Sequence, residues 1–113
     1  MQTPNPYGVY AAETTEQVAI SNRAVAKVSI CQCDDDLYRH AVSFDSPTSG
    51  FGGPITRHTT GHTTIADARL AGISELVRRL ECHTPDGTQP DREHVITQLR
   101  EALRQPSLFD HIT

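Results

Sequence analysis

Two runs of alternating polar and apolar residues flank a short acidic segment, and this feature limits the possible folds most. The first run is residues 24–33 (AVAKVSICQC) and the second is residues 37–45 (LYRHAVSFD). Alternation with period two, rich in β-branched residues, favours strands that bury one face. The aspartates between the runs, Asp34–Asp36, are typical of a turn. The sequence therefore predicts an antiparallel β-hairpin.

The same alternation assigns side chains to the two faces of the hairpin. In the first strand, one face carries Val28, Ile30 and Gln32, and the other carries Lys27, Ser29, Cys31 and Cys33. In the second strand, a common face carries Tyr38, His40, Val42 and Phe44. Because side chains alternate across a strand, we expect the two cysteines to lie side by side.

The hairpin is followed by residues 46–64, which are rich in Gly, Ser, Thr and Pro and predict a long loop. A short strand near residues 55–58 fits within this loop. The glycine-rich part, residues 49–54 (SGFGGP), is interpreted as a wide turn. It has neither the Gly-x-Gly-x-x-Gly spacing nor the Gly-Lys-Ser/Thr of a P-loop, so it does not indicate a phosphate site.

Two helices are predicted after the loop. The first runs from about Ile65 to Glu81, with Thr64 as its N-cap and Asp67 three residues later. Its apolar stripe consists of Ile65, Ala68, Gly72, Ile73, Leu76, Val77 and Leu80. The second helix runs from about Asp91 to Arg104, and its apolar face carries Val95, Ile96, Leu99 and Leu103.

The element order predicts an α+β fold: a β-hairpin or small antiparallel sheet followed by two helices. We expect a partly ordered N-terminal arm over residues 1–16, one domain over residues 17–104, and a tail over residues 105–113. A two-stranded hairpin alone is marginally stable in water. Either residues 17–22 and 55–58 therefore add strands, or two chains pair. The low hydrophobic content of 36% and aromatic content of 5% favour a homodimer.

Composition excludes several classes of protein. The net charge is −4, from 14 acidic and 10 basic residues, which argues against strong direct binding of nucleic acid through its phosphates. No apolar run is long enough to span a membrane. The first ten residues, MQTPNPYGVY, lack the pattern of a signal peptide, and three cysteines make no disulfide framework. We expect a cytoplasmic protein.

The candidate metal ligands are Cys31, Cys33, Cys82 and His83. Zinc needs three or four such ligands in a tetrahedral arrangement, and these spacings match no zinc finger, knuckle or ribbon. The favoured interpretation is that the cysteines pack as small apolar residues. No Ser/His/Asp or Cys/His arrangement has a local catalytic signature. We therefore expect neither a cofactor nor an enzyme.

The tail contains two large apolar residues directly after the second helix. Residues 105–109 read Gln-Pro-Ser-Leu-Phe, which resembles the Gln-x-x-Leu-Phe peptide of proteins that dock on the bacterial DNA sliding clamp. The resemblance implies that Gln105 hydrogen-bonds at a pocket rim, that Ser107 occupies the second variable position, and that Leu108 and Phe109 are the apolar anchors. Pro106 departs from the Leu that is common there. The alternative is that Leu108 and Phe109 fold back onto the protein's own core.

These patterns support three hypotheses of function. The first is a small non-enzymatic adaptor or regulator that docks on the sliding clamp through its tail. The second is a phage- or plasmid-encoded inhibitor of a host defence nuclease, of the anti-CRISPR or anti-restriction type. The third is a metal-binding module or a metal-dependent enzyme. The body loosely resembles small uncharacterised proteins of plasmids and prophages, which implies an accessory role on a mobile element.

Overall fold

Strands come first along the chain and helices last. The computed structural model describes residues 2–47, 50–82 and 90–104. In this part of the chain the elements are β1 (Val9–Tyr10), β2 (Thr14–Ser21), β3 (Ala24–Gln32), β4 (Tyr38–Asp45), β5 (Gly50–Gly52), β6 (Ile55–Thr56), α1 (Ile65–Cys82) and α2 (Pro90–Arg104). The predicted α+β class is confirmed.

The predicted hairpin forms the centre of a four-stranded antiparallel sheet with the order β2-β3-β4-β5. Val28 on β3 pairs with Val42 on β4, and Ile30 pairs with His40. Strand β2 begins at Thr14, ahead of the domain boundary predicted at residue 17. The fold therefore provides the additional strands that a hairpin needs to be stable.

Two short segments that are distant in sequence make a second sheet, which we call the ribbon (β1 and β6). Val9 pairs with Thr56 and Tyr10 pairs with Ile55. Strand β6 lies where a short strand was expected. Strand β1 lies within the predicted N-terminal arm, and its pairing places that part of the arm against the sheet.

Strand β5 lies in the region that was predicted to be a wide turn. Its backbone pairs with β4, with Phe51 opposite Phe44. The two aromatic rings stack with their centroids 5.7 Å apart. This contact, together with the backbone ladder, explains why a glycine-rich segment extends the sheet.

Helix α1 begins as predicted. The backbone N–H of Asp67 donates to Oγ1 of Thr64 at 3.1 Å, which is the N-cap hydrogen bond. The buried residues of the helix are Ala68, Gly72, Ile73, Leu76 and Leu80. Ile65 was predicted to share this stripe but is 50% exposed, because it lies in the first turn before the helix reaches the sheet.

Helix α2 is fixed to the edge of the sheet. Val95 and Leu99 are completely buried. The side chain of Gln98 donates to the carbonyl of Ile20 at 2.7 Å and accepts from the N–H of Ile20 at 2.9 Å. Within the described residues, neither helix combines the length and apolar composition needed to cross a bilayer.

The four-stranded sheet has two differently covered faces. The helix face is packed under α1 and α2 and carries Ala26, Val28, Ile30, Val42 and Phe44. The ribbon face carries Cys31 and Cys33, which pack against Tyr10 and Ile55 of the ribbon. The predicted assignment of side chains to the two faces of β3 is therefore confirmed.

Candidate functional site

Cys82 lies far from the two other cysteines that the sequence offered as candidate metal ligands. Cys31 and Cys33 lie on the ribbon face, whereas Cys82 is exposed at the end of α1, a helix that covers the opposite face. His83 lies outside the described residues. Across residues 2–47, 50–82 and 90–104, no group of three or more His, Cys, Asp or Glu side chains could hold a metal ion. Among the described candidates, the sheet therefore separates Cys82 from Cys31 and Cys33.

Cys31 of β3 and Cys33, directly after the end of β3, form a buried dithiol. Their sulfur atoms are 3.6 Å apart, and both residues are at most 1% exposed. Tyr10 and Ile55 of the ribbon cover them. Burial, followed by the contact with Cys33, raises the pKa of the Cys31 thiol to about 12. Cys31 is therefore a protonated thiol at neutral pH.

A buried arginine lies beside this dithiol. Arg39 is directly opposite Cys31 in the β-ladder. Its guanidinium donates two hydrogen bonds to the Asp35 carboxylate, at 2.9 and 2.8 Å, and its Nε donates to the carbonyl of Thr59 at 2.9 Å. Hydrogen bonds to Asp35 and then to Cys33 raise the pKa of Arg39. The guanidinium is therefore a fixed positive charge next to the Cys33 sulfur.

The acidic turn supplies the counter-charges of this region. The Arg39 hydrogen bonds lower the pKa of Asp35 to about 2. The hydroxyl of Tyr10 donates to Asp34 at 2.9 Å. Burial and then this hydrogen bond raise the pKa of Tyr10 to about 12. The aspartates that the sequence identified as a turn thus also hold an arginine and the ribbon in place.

A second polar group lies on the helix face. Nε2 of His40 is 2.9 Å from Oε1 of Glu75, and Arg79 donates to the other carboxylate oxygen at 3.3 Å. Nδ1 of His40 is buried and has no partner among the described residues. The guanidinium of Arg79 also lies 4.2 Å above the ring of Phe51. This chain of contacts connects β4, α1 and β5. The alternation of residues 37–45 predicted the face of the sheet that His40 occupies, and no sequence pattern pointed to Glu75.

An open groove of about 410 Å³ lies between the C-terminal half of α1 and the end of α2. Its lining residues are Ser74, Val77, Arg78, Glu81, Cys82 and Leu103. Arg100 of α2 and Glu81 of α1 form an ion pair at 2.9 Å beside it. Cys82 is therefore part of a helix–helix surface on the far side of the sheet from the other two cysteines.

The predicted partner-binding residues Gln105, Ser107, Leu108 and Phe109 lie outside the described residues. The last described residue, Arg104, is also the last residue of α2.

We compared the chain with protein-family models, with curated proteins and with solved structures, and none of them matches it.

Proposed function

We propose that this chain is a non-enzymatic adaptor that docks on the bacterial DNA sliding clamp through residues 105–109. The observation that carries the proposal is the position of the Gln-Pro-Ser-Leu-Phe sequence, which begins at the residue directly after α2. A peptide in that position is joined to a helix that is fixed to the sheet by Val95, Leu99 and the Gln98 hydrogen bonds.

The chemistry of the peptide supports recognition by a protein pocket. A few aliphatic and aromatic anchors usually supply most of the energy of such an interface. Leu108 and Phe109 would be these anchors, and the Gln105 amide would contribute a directional hydrogen bond. Pro106 restricts Gln105 to extended backbone conformations. Short linear peptides commonly bind in this way.

The charge of the chain is consistent with an indirect action on DNA. With a net charge of −4, broad neutralisation of phosphates is unfavourable. An adaptor that binds the clamp needs no phosphate-binding surface of its own, because the clamp already encircles DNA.

The first experiment measures binding of a labelled peptide of residues 103–113 to purified sliding clamp by fluorescence anisotropy. We expect a micromolar Kd. Leu108→Ala and Phe109→Ala should each weaken binding more than about tenfold, since truncating an anchor typically costs ~2 kcal/mol or more. His111→Ala lies outside the motif and serves as the control. Absence of binding at micromolar concentrations would overturn the proposal.

The second experiment uses the full chain and separates docking from folding. Phe109→Ala should abolish clamp binding and leave the urea midpoint unchanged. A lower midpoint without a change in clamp binding would show that Phe109 belongs to the protein's own core. Recovery of a defence nuclease instead of the clamp, in a pull-down from host lysate, would favour the inhibitor hypothesis.

A further inference from the structure

The spacing of Cys31 and Cys33 brings two thiols into contact at the C-terminal end of β3. Their sulfur atoms are 3.6 Å apart. Two residues of extended strand span about 6.6 Å between Cα atoms, which is near the upper end of the roughly 4.4–6.8 Å that a disulfide spans. A small contraction of β3 is therefore enough to join the sulfurs.

The surroundings make the two thiols chemically unequal. The guanidinium of Arg39 forms a hydrogen bond with Cys33. Cys31 lies deeper in apolar surroundings, and burial keeps it protonated. We assign the first reaction with an oxidant to Cys33, the thiol in contact with the guanidinium, and the completion of the disulfide to Cys31.

The ribbon controls access to the pair. Tyr10 and Ile55 cover the sulfurs, and the ribbon has only two residue pairs. The Tyr10–Asp34 hydrogen bond is one of the contacts that keep the ribbon packed against the sheet. Elements with so few contacts open at a lower free energy than the whole domain. The closed ribbon excludes oxidants, and an open ribbon admits a small one.

We propose that Cys31 and Cys33 are a reversible oxidation site at which hydrogen peroxide forms an intrachain disulfide. The Cys33 thiolate attacks one peroxide oxygen, the O–O bond breaks, and Cys33 becomes a sulfenic acid while hydroxide leaves. The Cys31 sulfur then attacks the Cys33 sulfur, the S–O bond breaks, and the oxygen leaves as water after protonation. In total, two thiols and one peroxide give one disulfide and two waters. The site is independent of the tail peptide.

The test uses the full chain with Cys82→Ser, so that only the pair of interest remains. After treatment of the folded protein with hydrogen peroxide, intact mass spectrometry should show the loss of two hydrogens, and dithiothreitol should restore the original mass. In the matched variant Cys31→Ser/Cys82→Ser, Cys33 should instead gain oxygen. Overoxidation of both cysteines without loss of two hydrogens, or no reaction of the folded protein, would overturn the proposal.

A second measurement tests the control of access by the ribbon. Tyr10→Phe keeps the ring and removes the hydroxyl that donates to Asp34. In the Cys82→Ser background, this variant should form the disulfide severalfold faster at an unchanged urea midpoint. Tyr7→Phe is the matched control, because Tyr7 is 88% exposed. An equal rate in Tyr10→Phe and the parent would overturn the role assigned to the ribbon.

Discussion

The two faces of the sheet are built by different means. The helix face is covered by 33 residues of helix and buries aliphatic side chains such as Val28, Leu76 and Leu99. The ribbon face is covered by four paired residues. Its buried groups include two thiols, and the neighbouring Arg39 and Tyr10 are held by the acidic turn.

Because the two faces are built differently, the helix face supplies most of the stability of the domain and the ribbon face holds its reactive thiols. Apolar burial on the helix face is extensive and non-directional, so it holds the domain together. The ribbon face depends on a few hydrogen bonds, each with a small net contribution. A chemically reactive pair under the ribbon can become accessible without unfolding of the domain. The following predictions test this separation, from the largest expected effect to the smallest.

Leu76→Ala should produce the largest loss of stability. Leu76 is completely buried between α1 and the sheet, and such truncations cost about 2–5 kcal/mol. The measurement is the free energy of unfolding from urea titration. On the ribbon face, Ile55→Ala removes a side chain that is 2% exposed. This substitution should lower the free energy of unfolding of the whole domain by less than Leu76→Ala does. It should also increase the rate at which Cys31 and Cys33 are oxidised. Equal global losses would contradict the separation of the two faces.

Gly72→Ala should also destabilise the helix face. A Cβ at this position would lie 2.7 Å from Cγ1 of Val28. Overpacking costs about 1–3 kcal/mol, and the higher helix propensity of Ala returns up to about 1 kcal/mol. We expect a net loss of roughly 1–2 kcal/mol in the same titration. Gly53→Ala, where a Cβ meets no atom within 4 Å, should remain within about 0.5 kcal/mol of the parent.

Thr64→Ala should remove the N-cap of α1. The hydroxyl of Thr64 accepts the N–H of Asp67, and losing such a cap costs about 1 kcal/mol. The thermal midpoint should fall accordingly. Thr63→Ala, one residue earlier and also exposed, should leave the midpoint unchanged. Equal effects of the two variants would show that the cap does not stabilise α1.

Asp35→Asn should reduce the dependence of the thermal midpoint on pH under acidic conditions. The folded pKa of Asp35, about 2, is below its ordinary value of 3.8 because of Arg39. The Asp35–Arg39 pair therefore stabilises the fold above about pH 4, and this contribution is lost as the pH falls towards 2. The thermal midpoint of Asp35→Asn should depend less on pH in that window. Asp36→Asn is the control, since Asp36 has a positive φ of 67° that Asn tolerates.

Local patterns predicted much of the fold. The hairpin followed from alternation around Asp34–Asp36, and α1 followed from the Thr64 cap and the spacing of its apolar residues. These signals are local in sequence and need no knowledge of packing. Strand β5 could not be predicted, because Gly50 and Gly52 carry no strand signal. Its pairing depends on a neighbour that chain folding brings close.

The site was predictable only in part. The spacing of Cys31 and Cys33 placed both thiols on one face. The separation of Cys82 from them could not be predicted, because it depends on which face of the sheet α1 covers. The ribbon could not be predicted either, since Tyr10 and Ile55 are 45 positions apart. The burial of Arg92 on α2 was not predicted either, and this burial lowers the pKa of its guanidinium.

Strand β2 has a consequence for how the molecule behaves at high concentration. It is an edge of the four-stranded sheet, and open edges can pair with other chains and cause aggregation. Its first four residues are exposed and polar, and the register shifts between Gln17 and Ala19. A charged, irregular edge is a poor template for an additional strand. Strand β2 is therefore a poor site for edge-to-edge addition of another chain.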